Sequence, residues 1–274
     1  MDKPIVVTPP KKIEFPIIKE VFEYKDLLYF MVLRDIKTRF QQTFIGVLWI
    51  IFQPLIQMLL FYVVLGVLVK VPTGDIPYPV FFLTGYIVWQ VFNQIVNGSA
   101  YSLVGNIGII TKTYFPKLIL PLSTTIGTII DFAISFILLF IFLYGNNFAI
   151  SSRYYLLPLL LLLTLIFSLG VGLLFSALMV IFRDIKNLLG FIMQIWMFLT
   201  PIMYPITIIP EQYRFLIFVN PMTGLVDAFR WVFLGTEPLP SLMHLTISLI
   251  TAFILLISGL YAFRTMEIRV ADVL

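Results

Sequence analysis

The chain contains no cysteine and a single histidine, His244. Without thiols there is no disulfide, no thiolate nucleophile and no Cys-ligated zinc or iron–sulfur centre, and one imidazole cannot supply the pair of ring nitrogens on which many metal sites draw. Charge is also scarce: 12% of the 274 residues are Asp, Glu, Lys or Arg, against about 25% in an average soluble domain. The sequence has no G-x-x-x-x-G-K-[ST] loop, no H-E-x-x-H pair and no Gly-rich nucleotide fingerprint, so the chain cannot hydrolyse ATP through a P-loop of its own. A soluble enzyme, a secreted disulfide scaffold and a disordered tail are all excluded.

Apolar side chains are abundant instead, at 60% of residues with a mean hydropathy of +1.03. A soluble domain of this length cannot hide that many, whereas a helix of about 20 apolar residues crosses a bilayer. Six stretches predict spans: Gly46 to Val69, Phe81 to Leu103, Leu118 to Tyr144, Leu156 to Phe182, Leu188 to Ile206 and Leu242 to Phe263. The expected fold is an all-α polytopic membrane protein. Of the 18 Lys and Arg residues, 14 fall in the segments on the side of the termini and four, Lys70, Arg153, Arg214 and Arg230, on the other. This positive-inside bias predicts that both termini are cytoplasmic. No cleavable signal peptide is needed, because the first apolar run follows 45 residues of mixed charge.

The flanking segments divide further. Residues 1–15, with Pro4, Pro9, Pro10, Lys11 and Lys12, read as a flexible cytoplasmic tail, and 264–274 as a cytoplasmic tail. Residues 16–45 predict an interfacial amphipathic helix, with Lys19, Glu23, Asp26, Arg34 and Lys37 in one sector and Val21, Tyr24, Leu28, Met31 and Val32 opposite. Asp35 and Arg39 project onto the apolar side, so the helix must bend there or those two residues must meet a partner. Residues 207–240 form an outer segment. In it Asn220-Pro221 is a cap and first-turn proline, Met222 to Leu234 is a helix of about 20 Å, and Gly235 is a stop. With Tyr213 to Val219 this predicts two short re-entrant helices between spans five and six, which survive only when buried in protein or lining a cavity.

Polar groups inside the spans carry the chemical information. Tyr86, Gln90, Asn93, Gln94 and Asn97 share one face of span two; Trp49, Gln53 and Gln57 share one face of span one; span five adds Gln194, Trp196, Thr200 and Tyr204. Amides offer donors and acceptors and aromatic faces stack on sugar rings, so these rows suit a neutral polyhydroxylated substrate, or else bond helix to helix. Asp131, flanked by Thr124, Thr128 and Ser135, is the one acid deep in a predicted span. An intramembrane carboxylate serves as a proton or cation site or as a lock in the bundle, and the lack of a Lys, Arg or His partner in any span favours the lock. Ser168, Gly172 and Ser176 make a small-residue stripe that lets another helix approach. On the inner side, Asn106 to Lys117 and Arg183 to Asn187 are tight loops that form a small docking surface.

Four stretches in order along the chain, LRDIKTRFQQTFIGVLWIIFQPL from Leu33, TKTYFPKLILPLS from Thr111, FRDIKNLLGFIMQIWMFLTPIMY from Phe182 and NPMTGLVDAFR from Asn220, resemble the permease subunit of ABC polysaccharide exporters. The resemblance implies a homodimer in the bacterial cytoplasmic (inner) membrane, paired with two separate nucleotide-binding ATPase subunits that hold the ATP and Mg. It implies no catalytic residue, metal or cofactor on this chain and no nucleic-acid partner. The substrate would be a lipid-linked glycan of O-antigen, capsule or teichoic-acid type, an O-antigen substrate meaning a role in lipopolysaccharide biosynthesis, with membrane lipids around the subunits. Coupling to the ATPase would fall on Arg34, Asp35, Asn106, Lys112, Tyr114, Arg183, Asp184 and Lys186. Trp49, Gln53, Gln57, Gln194, Trp196 and Tyr204 would line the substrate channel, and the span-two residues Tyr86, Gln90, Asn93 and Gln94 would face it or the bundle. An exporter of a small lipid or drug is the alternative within the class. A polyprenyl-linked sugar transferase would need paired inner-side carboxylates, but Asp35 and Asp184 are single acids beside arginines. An ion-coupled secondary transporter would use Asp131.

Overall fold

A computed structural model of the chain describes residues 17–41, 46–148, 151–182, 184–235 and 242–273. The expected tail at 1–15, Arg183 and residues 236–241 lie outside them. Among the described residues the secondary structure is helical: α1 (Ile17–Glu23), α2 (Lys25–Phe40), α3 (Trp49–Phe61), α4 (Tyr78–Tyr101), α5 (Ile107–Ile110), α6 (Ile119–Gly145), α7 (Leu157–Ile181), α8 (Ile185–Leu199), α9 (Glu211–Phe218), α10 (Pro221–Leu234) and α11 (Leu242–Val273). Among the described residues five stretches are long and apolar enough to cross a membrane, Gly46–Leu68, Tyr78–Tyr101, Ile119–Gly145, Ser152–Ile181 and Met243–Glu267, or six if the bent pair Glu211–Phe218 and Pro221–Leu234 makes one span. The protein is an all-α polytopic membrane protein.

Helix α4 is the centre of the bundle. It is buried along most of its length and packs on α6, α7 and α10, while α7 also packs on α11. Small residues let these axes approach. A Cβ added at Gly172 would lie 2.6 Å from Ser99 Cβ, and Ser176 Oγ lies 3.5 Å from Ser102 Oγ, so the Ser168/Gly172/Ser176 stripe is the contact with α4. On the neighbouring face of α7, a Cβ at Gly170 would stand 2.5 Å from the Leu256 amide nitrogen. That neighbour is backbone and cannot swing aside. Gly170→Val is therefore expected to destabilise the protein by about 3 kcal/mol, the upper part of the usual overpacking range. Thermal unfolding in detergent measures it, with Gly145→Ala, which meets open space, as the near-neutral control.

Three features differ from the sequence expectation. Helix α8 ends at Leu199, short of Ile206; its 15 residues span about 22 Å, because Pro201 lacks an N–H and forces Thr200 to an extended ψ of 133°. Helix α11 runs unbroken to Val273, so the segment from residue 264 onward extends the last helix as far as 273. The apolar face of α1 and α2, including Val21, Tyr24, Leu28 and Met31, packs into a cluster with Phe115, Leu118 and Phe263, so protein covers the face that an interfacial helix would give to lipid. Helix α3 carries Pro54 internally and widens at its outer end into i→i+5 turns over Tyr62–Leu68, with Val69 N–H donating to Val64 O at 3.0 Å.

Candidate functional site

The amide and aromatic rows separate once they are folded. Tyr86 is buried and stacks on Phe82 at 5.1 Å between centroids. Gln90 is 5% exposed and borders a narrow crevice with Gln94, Asp131 and Ser135, where neither of its amide atoms has a protein partner. Asn97 donates back to Asn93 O at 2.8 Å and Oδ1 at 2.9 Å, so that pair is spent within its own helix. The span-two row thus belongs to the subunit interior. Trp196 also turns inward, with its ring edge-to-face on Phe92 at 5.0 Å and Phe167 at 6.0 Å and its Nε1–H donating to Asn220 Oδ1 at 2.9 Å. The expectation that Tyr86 and Gln90 line a channel is corrected, since both are buried within one subunit, whereas Trp196 is half-buried and still borders a groove between α8 and the start of α10. Tyr204 is half-buried and its hydroxyl donates to Phe198 O at 2.7 Å. Trp49, 52% exposed, and Gln194 remain on the open surface, with Gln53 and Gln57 half-buried.

The outer segment is a bent pair, α9 and α10 meeting at 96°. Asn220 caps α10 by accepting the Met222 N–H at 3.1 Å, Pro221 follows, and Gly235 ends the helix at φ 66°, a left-handed position that glycine takes without strain. Asn220 also donates from Nδ2 to Thr200 Oγ1 at 2.9 Å, which ties the bend to the end of α8. Arg230, read from sequence as an outer cation that signals topology, is instead buried and donates to Pro201 O at 2.6 Å and Ile202 O at 2.7 Å. Its register on α10 points it into the bundle, a direction that charge counting does not see.

A polar seam runs along the N-terminal half of α6. Ser123 Oγ donates to Asp35 Oδ2 at 2.6 Å, Arg34 Nη2 holds the other Asp35 oxygen at 2.7 Å, and Arg39 Nη1 pairs with Asp131. These are the partners that the misplaced Asp35 and Arg39 required. From Ser123 to Asp131 the seam advances about 12 Å, so α2 runs alongside α6. At the inner end, Arg264 Nη1 donates to Glu267 Oε2 at 2.8 Å and Nη2 to Glu20, while the Lys117 backbone N–H donates to Glu267 Oε1 at 2.8 Å. Burial pulls the Lys117 amine below its ordinary pKa, with Glu267 opposing the shift. Asp35, expected to face an ATPase partner, is therefore engaged within the subunit.

The loops at 106–117 and 184–187 stay open. Lys112 and Tyr114 are exposed beyond α5, as are Asp184 and Lys186 at the start of α8. Asn106 is half-buried and donates from Nδ2 to Ser102 O at 2.9 Å. The two loops adjoin, since the Tyr101 hydroxyl donates to Lys186 O at 3.3 Å and Lys186 Nζ lies 5.9 Å from the Tyr101 ring centroid.

Comparison with known proteins gives this architecture a family. An O-antigen export system permease protein RfbA of Klebsiella pneumoniae is 31% identical over 251 residues, covering 91% of this chain and 95% of that protein. The polysialic acid transport protein KpsM of Escherichia coli is 31% identical over 246 residues, covering 86% and 92%. The inner membrane transport permease YadH of Escherichia coli is 24% identical over 249 residues, covering 86% and 93%. The family described as ABC-2 type transporter matches residues 26–234, from the second residue of α2 to the last of α10. With the α2–α6 contact, the central helix α4 and the bent pair all inside that span, the chain belongs to the ABC-2 type transporter family.

Proposed function

We propose that the chain is the transmembrane permease of an ATP-driven exporter that moves a lipid-linked polysaccharide out across the cytoplasmic membrane. The observation that carries this reading is the near-full-length likeness to both an O-antigen permease and a polysialic acid transport protein. It works as a homodimer, with both termini cytoplasmic, beside ATPase subunits that bind ATP and Mg. The ATPase docks on the inner loops, through Lys112, Tyr114, Asp184 and Lys186, with Arg183 and Arg34 adding charge.

The chemistry of the open surface supports a glycan. Gly46 to Val69 and Leu188 to Ile206 contain no Asp, Glu, Lys or Arg, so a path bordered by α3 and α8 offers a polymer no charge to bind it tightly or repel it. Trp49, Gln53, Gln57 and Gln194 instead give weak stacking and hydrogen bonds, which a moving chain can exchange one for another. A dimer also covers α3, whose Trp49, Phe52 and Ile56 are exposed in one subunit, as are Val47 and Leu48 just before it.

Coexpression with the cognate ATPase subunit in cells lacking their own permease tests the reading. The pair is expected to restore surface glycan, and Trp49→Ala to lower its amount several-fold while ATP hydrolysis continues, since one stacking contact contributes about 1 kcal/mol. No glycan with the unaltered pair overturns the substrate assignment. An unchanged amount with Trp49→Ala removes α3 from the path.

A further inference from the structure

Helix α8 ends at Leu199, and the chain continues through Thr200, Pro201, Ile202 and Met203 as a buried turn. Non-helical backbone at membrane depth is tolerated only where its polar groups find partners within the protein. Side chains from α4 and from the helix bend meet most of that demand. The Tyr78 hydroxyl donates to Met203 O at 3.0 Å, and Asn220 Nδ2 reaches Leu199 O at 3.4 Å and Thr200 Oγ1 at 2.9 Å. The two carbonyls between them, Pro201 O and Ile202 O, both fall to Arg230.

Arg230 is the one charged group in this cluster of donors, and its setting is built for it. Its planar fork aims Nη1 and Nη2 at successive carbonyls, Nη2 also reaches Phe81 O at 3.4 Å, and the guanidinium lies 3.8 Å from the Phe81 ring centroid. Gly85 leaves the space, since a Cβ there would stand 2.8 Å from Nη2. Asp227 lies three residues earlier on α10. A lysine at this position has one nitrogen and no fork, so it can serve one carbonyl well but not both in this geometry.

We propose that Arg230 is the positioning residue for the outer end of α8: it holds the Thr200–Met203 turn, and with it the last turn of α8, against α4 and α10. This rests on the proposed function only in that α8 borders the transport path. The anchor stays fixed while the inner loops respond to the ATPase, so Arg230 sets the outer end of the path without touching substrate.

The cysteine-free chain gives a direct test. Ile202 and Ala100, both 0% exposed, are replaced one at a time by Cys in the transporter assembled with its ATPase subunit, and each thiol is probed with a water-soluble maleimide on the detergent-solubilised complex, where the reagent reaches both faces. With Arg230 in place both thiols are expected to be protected. Under R230K, labelling of I202C should rise about tenfold, the change that losing one charge-assisted hydrogen bond makes in a local opening equilibrium, while A100C on α4 stays protected. Glycan export by R230K should fall while ATP hydrolysis persists. Protection of I202C in both R230K and R230Q overturns the proposal. Labelling of A100C together with I202C also overturns it, because Arg230 would then support the whole bundle instead of one turn. If the unaltered transporter exports no glycan but the labelling pattern holds, the substrate reading fails and the positioning role stands.

Discussion

Arg39→Met is expected to destabilise the protein by about 2–3 kcal/mol, because it leaves the Asp131 carboxylate in the bundle without its counter-charge. Removing one partner of a buried pair costs about 3–5 kcal/mol, and Arg39, 37% exposed, warrants a discount for screening. The pair itself contributes far less than that loss suggests, since desolvating both charges offsets most of their attraction. Arg39→Met combined with Asp131→Leu should therefore recover much of the stability that Arg39→Met loses alone. Thermal unfolding of the four proteins in detergent gives the coupling directly. A double variant as unstable as the sum of its parts would show that the two residues act separately.

The second large effect lies at the inner loops. Lys112→Glu combined with Tyr114→Ala should lower glycan export by at least about tenfold, as expected when an aromatic anchor worth about 2 kcal/mol is lost from an interface. Both side chains are exposed, so the permease itself should fold and assemble as before. The ATPase subunit is expected to copurify poorly with the variant and to hydrolyse ATP at the rate it shows alone. Full export with normal copurification would place the docking surface elsewhere.

The helices were legible because hydropathy runs and the positions of Pro and Gly are local signals. Asn220-Pro221 and Gly235 bound α10 from sequence and in the fold, and the Ser168/Gly172/Ser176 stripe makes the close approach that its spacing implies. What stayed hidden depends on a third dimension. Arg39 and Asp131 are 92 residues apart, and the only hint of their meeting was that Arg39 broke the apolar face of its own helix. Trp196 shares a helix and a polar pattern with Gln194, but Phe92 and Phe167 from α4 and α7 decide that its ring turns inward. Arg230 looked like one more outer cation, because no pattern in the sequence reveals that two carbonyls 28 and 29 residues earlier await it. The early end of α8 could have been read from Pro201, whose effect on Thr200 is local.

The acceptors of Arg230 are main-chain oxygens, which every amino acid carries. Substitution at Pro201 or Ile202 can change shape and volume there but cannot delete the groups that Arg230 holds, whereas substitution at Arg230 removes two bonds at once. The two sides of this joint thus differ in how they tolerate drift. The turn can accept many residues as the outer mouth adapts to a thicker or thinner polymer, while the arginine has no equivalent replacement among the other side chains.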